Sequence, residues 1–185
     1  MLKYIVPLLA LMLAAAPGQE LLVNGGFEEP LTTGWVQTMG GSGTHTVNRA
    51  TGYDPDPDYE SYCYQYDNPG WVRLSQQVEV PGPALEVSFR VKLERSTETS
   101  CWPASYASIC YLSEGGSLLG ETRYYSSSVT PWNPSSTFHP VPVTSSDWND
   151  YSVIVGDELS QNLPGVNPAD VRRVEIAFAD TTEGG

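Results

Sequence analysis

Leu85 to Leu93 reads LEVSFRVKL, and its apolar residues occupy every second position. Strict alternation puts apolar side chains on one side of an extended chain and polar ones on the other, which predicts a half-buried β-strand. The same pattern recurs along the chain, with Gln76 as an exception among apolar positions. It predicts five further strands, at 72–80, 62–66, 107–112, 151–155 and 174–178.

Turn signals separate these stretches, at Val80–Pro83, Glu114–Gly116 and Asn162–Gly165. No stretch after the N-terminus shows sustained helical periodicity, and one helical turn is expected at Asn167–Asp170. Ser126–Ser146, rich in Ser, Thr and Pro, is expected to form one long surface loop. Short strands with regular turns predict an all-β fold, an antiparallel jelly-roll β-sandwich in a single domain.

Composition narrows the functional classes. The 185 residues include 22 acidic and 9 basic side chains, for a formal net charge of -13, which excludes nucleic acid as an expected partner. The 17 Gly and 15 Pro argue against a helical bundle, while 40% hydrophobic residues suffice for a folded core.

The N-terminus predicts secretion. Lys3 precedes an apolar stretch from Tyr4 to Ala16 and then small residues, which is the pattern of a signal peptide. Cleavage after Gly18 is expected, so residues 1–18 are the signal peptide and residues 19–185 the domain. The alternative is an uncleaved N-terminal anchor. The mature protein is expected outside the cell or on its surface, without membrane contact after cleavage.

An oxidising compartment predicts one disulfide among the three cysteines. Cys101–Cys110 would close a short loop, whereas Cys63–Cys110 would join two strands, and the sequence leaves the choice open.

The polar positions of two successive strands suggest a ligand-binding face. Trp71, Arg73 and Gln77 share one side of the first strand, and Ser88 and Arg90 share one side of the second. If the strands are antiparallel neighbours, these residues lie on one sheet face. Aromatic rings can stack on a sugar ring and planar polar groups can bind its hydroxyls. The alternative is an ordinary solvated sheet face.

Other aromatic residues are expected in loops. The stretch Thr97–Tyr106 would hold Trp102 rigidly beside Cys101, whereas Trp35, Trp148 and Tyr151 are expected in or over the core. A rim around the Ser-rich loop is expected from Tyr124, Tyr125 and Trp132. The predicted ligand-binding residues are Trp71, Arg73, Gln77, Arg90, Trp102 and Tyr106.

The start of the predicted domain resembles a known family. Leu21–Glu29 reads LLVNGGFEE and is followed by Thr33-Gly-Trp35. This opening resembles that of secreted carbohydrate-binding modules of the family 4/9 and 22 type, which are galactose-binding-like β-sandwiches. Weaker similarity continues at Ser75–Val78 and Trp148–Tyr151. The resemblance implies a non-catalytic domain whose partner is a polysaccharide or another glycan.

The resemblance also implies a closing strand and a structural calcium. The family closes with a strand soon after a Gly, but this sequence stops at Gly185, so either the native chain continues or the last strand is missing. A further domain could follow. In the family a carboxylate of the opening motif helps to bind calcium, and Glu28 matches it. A rival acidic stretch holds Asp54, Asp56 and Asp58, but Tyr59 stands where an EF-hand loop requires Gly, so an acidic surface loop is expected.

No catalytic motif is evident. His45 and His139 are the two histidines, and motifs for nucleophilic, metal-dependent or nucleotide chemistry are lacking in the sequence. We therefore expect no enzyme. The alternative function is a structural or adhesive extracellular sandwich domain that contacts proteins, and a secreted hydrolase ranks last.

Overall fold

The alternating stretches form strands in the computed structural model, which describes residues 20–51, 58–94, 103–127 and 132–182. These residues contain ten strands, one α-helix and one short 3-10 helix. The strands are β1 (Val36–Gly41), β2 (Thr44–Ala50), β3 (Glu60–Tyr66), β4 (Gly70–Glu79), β5 (Glu86–Val91), β6 (Ala104–Leu112), β7 (Leu118–Ser127), β8 (Phe138–Pro142), β9 (Asn149–Ile154) and β10 (Arg173–Thr181). The helix α1 spans Val155–Asn162, and the 3-10 helix spans Pro168–Asp170.

A six-stranded sheet in the order β1-β4-β10-β6-β7-β8 forms one layer of the fold. Two ribbons, β2–β3 and β5–β9, form the other layer. The all-β sandwich is therefore confirmed. Its strands are antiparallel with one correction, because β8 pairs with β7 in parallel.

The larger core lies between the six-stranded sheet and the β5–β9 ribbon. Val87 and Val153 from the ribbon pack against Ile109 and Ile176 of the sheet. Burying each such side chain contributes about 1.5–3 kcal/mol. A smaller core lies under the β2–β3 ribbon, where Trp35 and Leu74 pack with Leu31. The prediction that Trp35 belongs to the core is confirmed, since it is 5% exposed.

Consecutive strands β4 and β5 belong to different layers, which corrects the prediction of a shared face. β4 lies between β1 and β10, while β5 pairs with β9. The Pro-rich turn after β4 carries the chain across the sandwich rather than closing a hairpin. Its carbonyl at Pro83 accepts a hydrogen bond from Gly156 N at 2.9 Å, and Val155 N donates to Leu85 O at 2.9 Å. These bonds fix the start of β5 against β9 and α1.

The stretch expected to be one loop, Ser126–Ser146, contains strand β8. Pro140 and Pro142 hide the strand signal, yet proline is tolerated there because β8 lies at a sheet edge. Helix α1 was not predicted, since its buried stripe is short and rests mainly on Val155 and Leu159. The predicted helical turn is confirmed, and Asn167 Oδ1 accepts a hydrogen bond from Ala169 N at 3.2 Å.

Within the described residues, no helix is both long enough and apolar enough to cross a membrane. The predicted signal peptide lies outside the described residues.

Candidate functional site on the outer face of the six-stranded sheet

Strand register places a set of side chains in rows on the side of the six-stranded sheet that points away from the core. We call this side the outer face. One row crosses five strands, because Thr38 is paired with Arg73, Arg73 with Ala179, Ala179 with Tyr106 and Tyr106 with Tyr125. Neighbouring rows run parallel to it. They contain Trp71 and Thr181 on one side, and Ser75, Ala177, Ser108 and Arg123 on the other.

Aromatic rings enclose a guanidinium group on the β6–β7 part of this face. Trp132 lies edge-on to Tyr106 and Tyr125, with ring centroids 5.9 Å and 4.8 Å apart. The Arg123 guanidinium carbon lies 4.3 Å from the Tyr106 ring centre, 4.6 Å from that of Trp132 and 5.2 Å from that of Phe138. Such cation–π contacts hold the rings in fixed orientations.

Two carboxylates compensate Arg73 and Arg123 on the outer face. Glu121 accepts from Arg123 Nε at 2.6 Å and from Nη2 at 3.1 Å, a bidentate pair. Glu175 accepts from Arg73, and its second oxygen accepts from Gln77 Nε2 at 3.0 Å. The four charges cancel, so the face is polar but carries little net charge.

Electrostatics at the centre of the face follow from this pairing. Burial alone would lower the pKa of Arg73, but the hydrogen bond and charge of Glu175 raise it, so the guanidinium stays charged. Cys110 lies beside this pair, with Sγ 3.7 Å from Arg73 Nη2. Burial raises the pKa of the Cys110 thiol to about 12, which keeps it protonated and unreactive at neutral pH.

Small side chains line the central strand β10 on this face. Ala177 and Ala179 are its outward residues between the larger side chains of β4 and β6. β4 and β6 lie two strand spacings apart, which is about 10 Å. Arg73 reaches across β10 to Cys110 of β6, and Ala177 and Ala179 are 0% and 5% exposed, so larger side chains cover these small residues.

Trp71 lies near the start of β4 on the same face. It is 37% exposed, and its indole lies over Gly40 of the neighbouring strand. A Cβ at Gly40 would lie 2.7 Å from Trp71 Nε1, so only glycine allows the ring to rest there. The outer face therefore offers an exposed indole and a rigid aromatic cluster, with hydrogen-bonding groups between them.

Four of the six predicted ligand residues lie on this face: Trp71, Arg73, Gln77 and Tyr106. Tyr106 belongs to strand β6 and not to a loop, because β6 begins at Ala104. Trp102 lies outside the described residues. The role of these side chains in binding stays a prediction.

Arg90 does not lie on this face, because β5 belongs to the opposite layer. Its Nε is 3.8 Å from Asp150 Oδ1, and its guanidinium lies 5.6 Å from the Trp148 ring centre. It lines a shallow open depression with Ser88, Phe89, Asp150, Tyr151 and Ser152.

Sequence reasoning did not identify Arg123, Glu121 and Glu175 as parts of the site. The predicted rim is partly corrected: Tyr125 and Trp132 lie on the outer face, whereas Tyr124 points inward and is 8% exposed in the core. Strand β7 escaped prediction because polar and aromatic residues occupy both of its sides. The β-branched and aromatic residues Thr122, Tyr124 and Tyr125 are a weak signal that could have indicated it.

The opening motif makes a compact turn next to the smaller core. Asn24 and Phe27 have positive φ angles of 55° and 58°. Asn24 O accepts from Trp35 Nε1 at 3.0 Å, and Phe27 packs against Trp35 with ring centroids 5.1 Å apart. The motif therefore has a structural role in joining the start of the domain to the core.

The predicted calcium ligand Glu28 belongs to this turn. Glu28 Oε1 accepts from Tyr59 N at 3.1 Å, and Arg49 Nη1 donates to the carbonyl oxygens of Phe27 and Glu28 at 3.0 Å and 2.9 Å. Calcium takes six to eight oxygen ligands. Among the described residues no group of three or more Asp, Glu, His or Cys side chains could hold a metal, and the Arg49 cation occupies the carbonyl oxygens of this turn. Asp54 and Asp56 lie outside the described residues, and calcium binding stays an untested prediction.

Cys63 and Cys110 are free thiols, which rules out the proposed Cys63–Cys110 bridge in this structure. Cys63 points between the layers and Cys110 points to the outer face, so the sheet separates them. Burial raises the pKa of Cys63 to about 12. Cys101 lies outside the described residues.

Comparisons with known proteins find solved structures that are weakly similar to this chain. No protein-family model and no curated protein sequence matches the chain. One similar solved structure is the enzymatically active domain of tailspike protein 4 from bacteriophage CBA120, with 17% identity and a TM-score of 0.49. It matches over 88% of this chain, which spans 19% of that chain's length. Another is the family 11 carbohydrate-binding module of the cellulosomal cellulase Lic26A-Cel5E of Clostridium thermocellum, with 12% identity, a TM-score of 0.40, and coverage of 86% of this chain and 90% of that chain.

Proposed function

We propose that the protein is a secreted, non-catalytic domain that binds a polysaccharide or another glycan on the outer face of its six-stranded sheet. The observation that carries this proposal is the exposed indole of Trp71, which shares a face with Arg73 and with the rigid cluster of Tyr106, Tyr125 and Trp132. An extended sugar chain needs such a surface, since it binds through ring stacking and many directional hydrogen bonds.

The charge of the site supports the same function. Arg73 and Arg123 are each bound to a carboxylate, so their remaining N–H groups are held in place to donate to hydroxyls. Preorganised donors cost little conformational entropy when a ligand binds. The predicted signal peptide, residues 1–18, directs the protein out of the cell, where polysaccharides are accessible.

A structural or adhesive domain is the second candidate, and one feature favours it. Tyr62, Tyr64 and Tyr66 stack along β3, with centroids 5.8 Å and 6.0 Å apart and planes inclined by 16° and 10°. Tyr64 and Tyr66 are 38% and 54% exposed. The rings stack on one another, so this row presents mainly ring edges and suits sugar stacking less well than Trp71 does.

Glycan-array binding of the purified protein tests the proposal, followed by affinity measurement on any polysaccharide that binds. Trp71→Ala should weaken binding about tenfold or more, equivalent to about 1.4 kcal/mol. Trp148→Ala removes an indole from the other layer and is the matched control, expected to bind as wild type. Measurement with and without added calcium tests the Glu28 prediction separately.

Two results would overturn the proposal. A folded protein that binds nothing on the array favours the structural or adhesive domain. Equal affinity of wild type and Trp71→Ala, with loss in Trp148→Ala, would move the site to the β5–β9 layer.

A further inference from the structure

Strand β1 leaves one edge of the six-stranded sheet open. Among the described residues its backbone pairs only with β4, and one additional contact joins His45 Nε2 to Gly40 O at 2.6 Å. In an antiparallel ladder every second residue turns its N–H and C=O away from the partner strand. β1 therefore presents unpaired backbone groups at its far side, and such an edge is a template for another strand.

The composition of β1 is unlike that of the other open edges. Natural sheets protect their edges with charged residues or proline. Among the described strands, six have an open edge: β1, β8, and both strands of each ribbon. Five of them carry such a residue: Pro140 and Pro142 in β8, Arg49 in β2, Glu60 in β3, Glu86 and Arg90 in β5, and Asp150 in β9. β1 reads VQTMGG and has none.

β1 is also accessible along its length. Val36 is 58% exposed and Met39 is 51% exposed, on opposite sides of the strand. Neither layer of the described structure covers these side chains. An incoming strand would bury apolar surface here as well as satisfy the backbone groups.

We propose that β1 pairs with β1 of a second copy of this chain, antiparallel and about a two-fold axis. Residues that lie opposite each other in a ladder have their side chains on the same face of the sheet, whereas successive residues of one strand lie on opposite faces. A two-fold symmetric pair must therefore place one residue opposite its own copy. In a register centred on Thr38, the two Thr38 residues lie opposite each other. Gln37 of one copy then lies opposite Met39 of the other, and Val36 lies opposite Gly40. Gly41, the last residue of β1, has a φ of 91°, so a register centred further along would bring this non-extended residue into the pairing.

Charge explains why the partner is a second copy at this edge and not elsewhere. Each chain carries a formal charge of -13, so two copies repel wherever acidic surfaces meet. β1 brings no charged side chain into contact, and Thr opposite Thr is a favourable cross-strand pair. A five-residue pairing is smaller than a standard protein interface, so the dimer is weak and concentration-dependent. Added salt screens the remaining repulsion and should strengthen it.

The geometry gives the dimer a consequence for binding, which rests on the proposed function. The two-fold axis of an antiparallel strand pair stands perpendicular to the sheet, so both outer faces point the same way. Thr38 belongs to the row of Arg73, Ala179, Tyr106 and Tyr125. That row continues from one copy into the next, and one polysaccharide chain can occupy both copies with increased avidity.

Sedimentation equilibrium of the purified protein tests the pairing without any glycan. We expect monomers near 1 µM and a growing dimer fraction towards about 1 mM, as a small interface predicts. Thr38→Lys places two ammonium groups opposite each other and should weaken dimerisation tenfold or more. Thr38→Cys should give a covalent dimer on oxidation, whereas Pro140→Cys on the other edge strand is the control and should not exceed wild type.

A wild-type monomer over the whole concentration range overturns the pairing. So does a dimer that Thr38→Lys leaves unchanged, or equal cross-linking of Thr38→Cys and Pro140→Cys. Binding of an unrelated extended peptide without self-association would assign the edge to another partner. Because these readouts are masses, they succeed or fail independently of glycan binding, which Trp71→Ala reports.

Discussion

Asp180 is the carboxylate that joins the two layers at the end of β10. Its Oδ2 accepts from Gln65 N of β3 at 2.9 Å, and its Oδ1 accepts from Ser105 Oγ of β6 at 3.2 Å. Burial raises the pKa of Asp180 to about 6, against the lowering effect of the hydrogen bond from Gln65 N. The free carboxyl has a pKa near 3.8, so the folded state holds this proton more tightly than the unfolded state does.

This shift predicts that the free energy of unfolding depends on pH. Between about pH 4 and pH 6 the unfolded chain releases the proton first, so the stability that Asp180 contributes falls as pH rises through that window. Two pKa units correspond to about 3 kcal/mol. Asp180→Asn keeps a neutral side chain of the same shape. Its free energy of unfolding relative to wild type should rise by about 2–3 kcal/mol from pH 4 to pH 7, measured by urea denaturation.

Asp150→Asn is the matched control, since the Asp150 side chain is 84% exposed. Its free energy of unfolding should differ from that of wild type by no more than about 0.5 kcal/mol at every pH. Parallel stability curves for wild type and Asp180→Asn would contradict the buried-carboxylate account.

Single residues of the site were partly predictable from sequence. Alternation along β4 indicated that Trp71, Arg73 and Gln77 share a side, because that inference needs only the period of a strand. The ion pairs of Arg73 and Arg123 could not be predicted, since their partners lie on β10 and on a strand with polar residues on both sides. The sequence likewise does not distinguish Asp180 from other acidic residues, because its burial depends on the β2–β3 ribbon that packs against it.

At the scale of elements, one side chain attaches the opening segment to the sheet. Gln76 occupies an inward position of β4 where apolar residues are expected, and it is 6% exposed. Its Oε1 accepts from Val23 N at 2.6 Å, and its Nε2 donates to Val23 O at 2.8 Å. The side-chain amide thus pairs with the backbone as a neighbouring strand would, which explains the exception in the alternating pattern.

Gln76→Ala should therefore destabilise the fold. It removes two hydrogen bonds and leaves the Val23 backbone groups without their partner, at a cost of about 1–3 kcal/mol in free energy of unfolding. Chemical denaturation measures the loss. Gln77→Ala, next in sequence but exposed on the outer face, should cost about 0.5 kcal/mol or less. Equal losses in the two variants would show that the Gln76 pairing contributes little.

Element types were predictable where the hydrophobic alternation is clear. Strands β3, β4, β5, β6, β9 and β10 were predicted, with bounds that shift by a few residues. β1, β2, β7 and β8 were not, because their side chains are polar on both sides or because proline interrupts them. The predicted strand end at Val155 is the first residue of α1, where backbone hydrogen bonds to the β4–β5 turn redirect the chain.

At the scale of the whole molecule, the sequence predicted a sandwich but not which strands are neighbours. Pairing of β4 with β10 joins residues about a hundred positions apart, such as Gln77 and Glu175, separated by 98. The assumption that consecutive strands pair placed Arg90 on the wrong layer. Only the three-dimensional register shows that Trp71 and Arg73 share a face with Tyr106 and Tyr125, which lie two and three strands away, and this is the feature that supports a binding face.

The most direct test of that binding face is an NMR titration of ¹⁵N-labelled protein with a soluble oligosaccharide taken from a polysaccharide that binds. The outer-face account predicts that backbone amide shifts cluster on β4, β10, β6 and β7, together with the indole N–H signals of Trp71 and Trp132. Signals of the β5–β9 ribbon, including the Trp148 indole, should stay in place. Shifts confined to that ribbon, or to the stacked tyrosines of β3, would contradict the account.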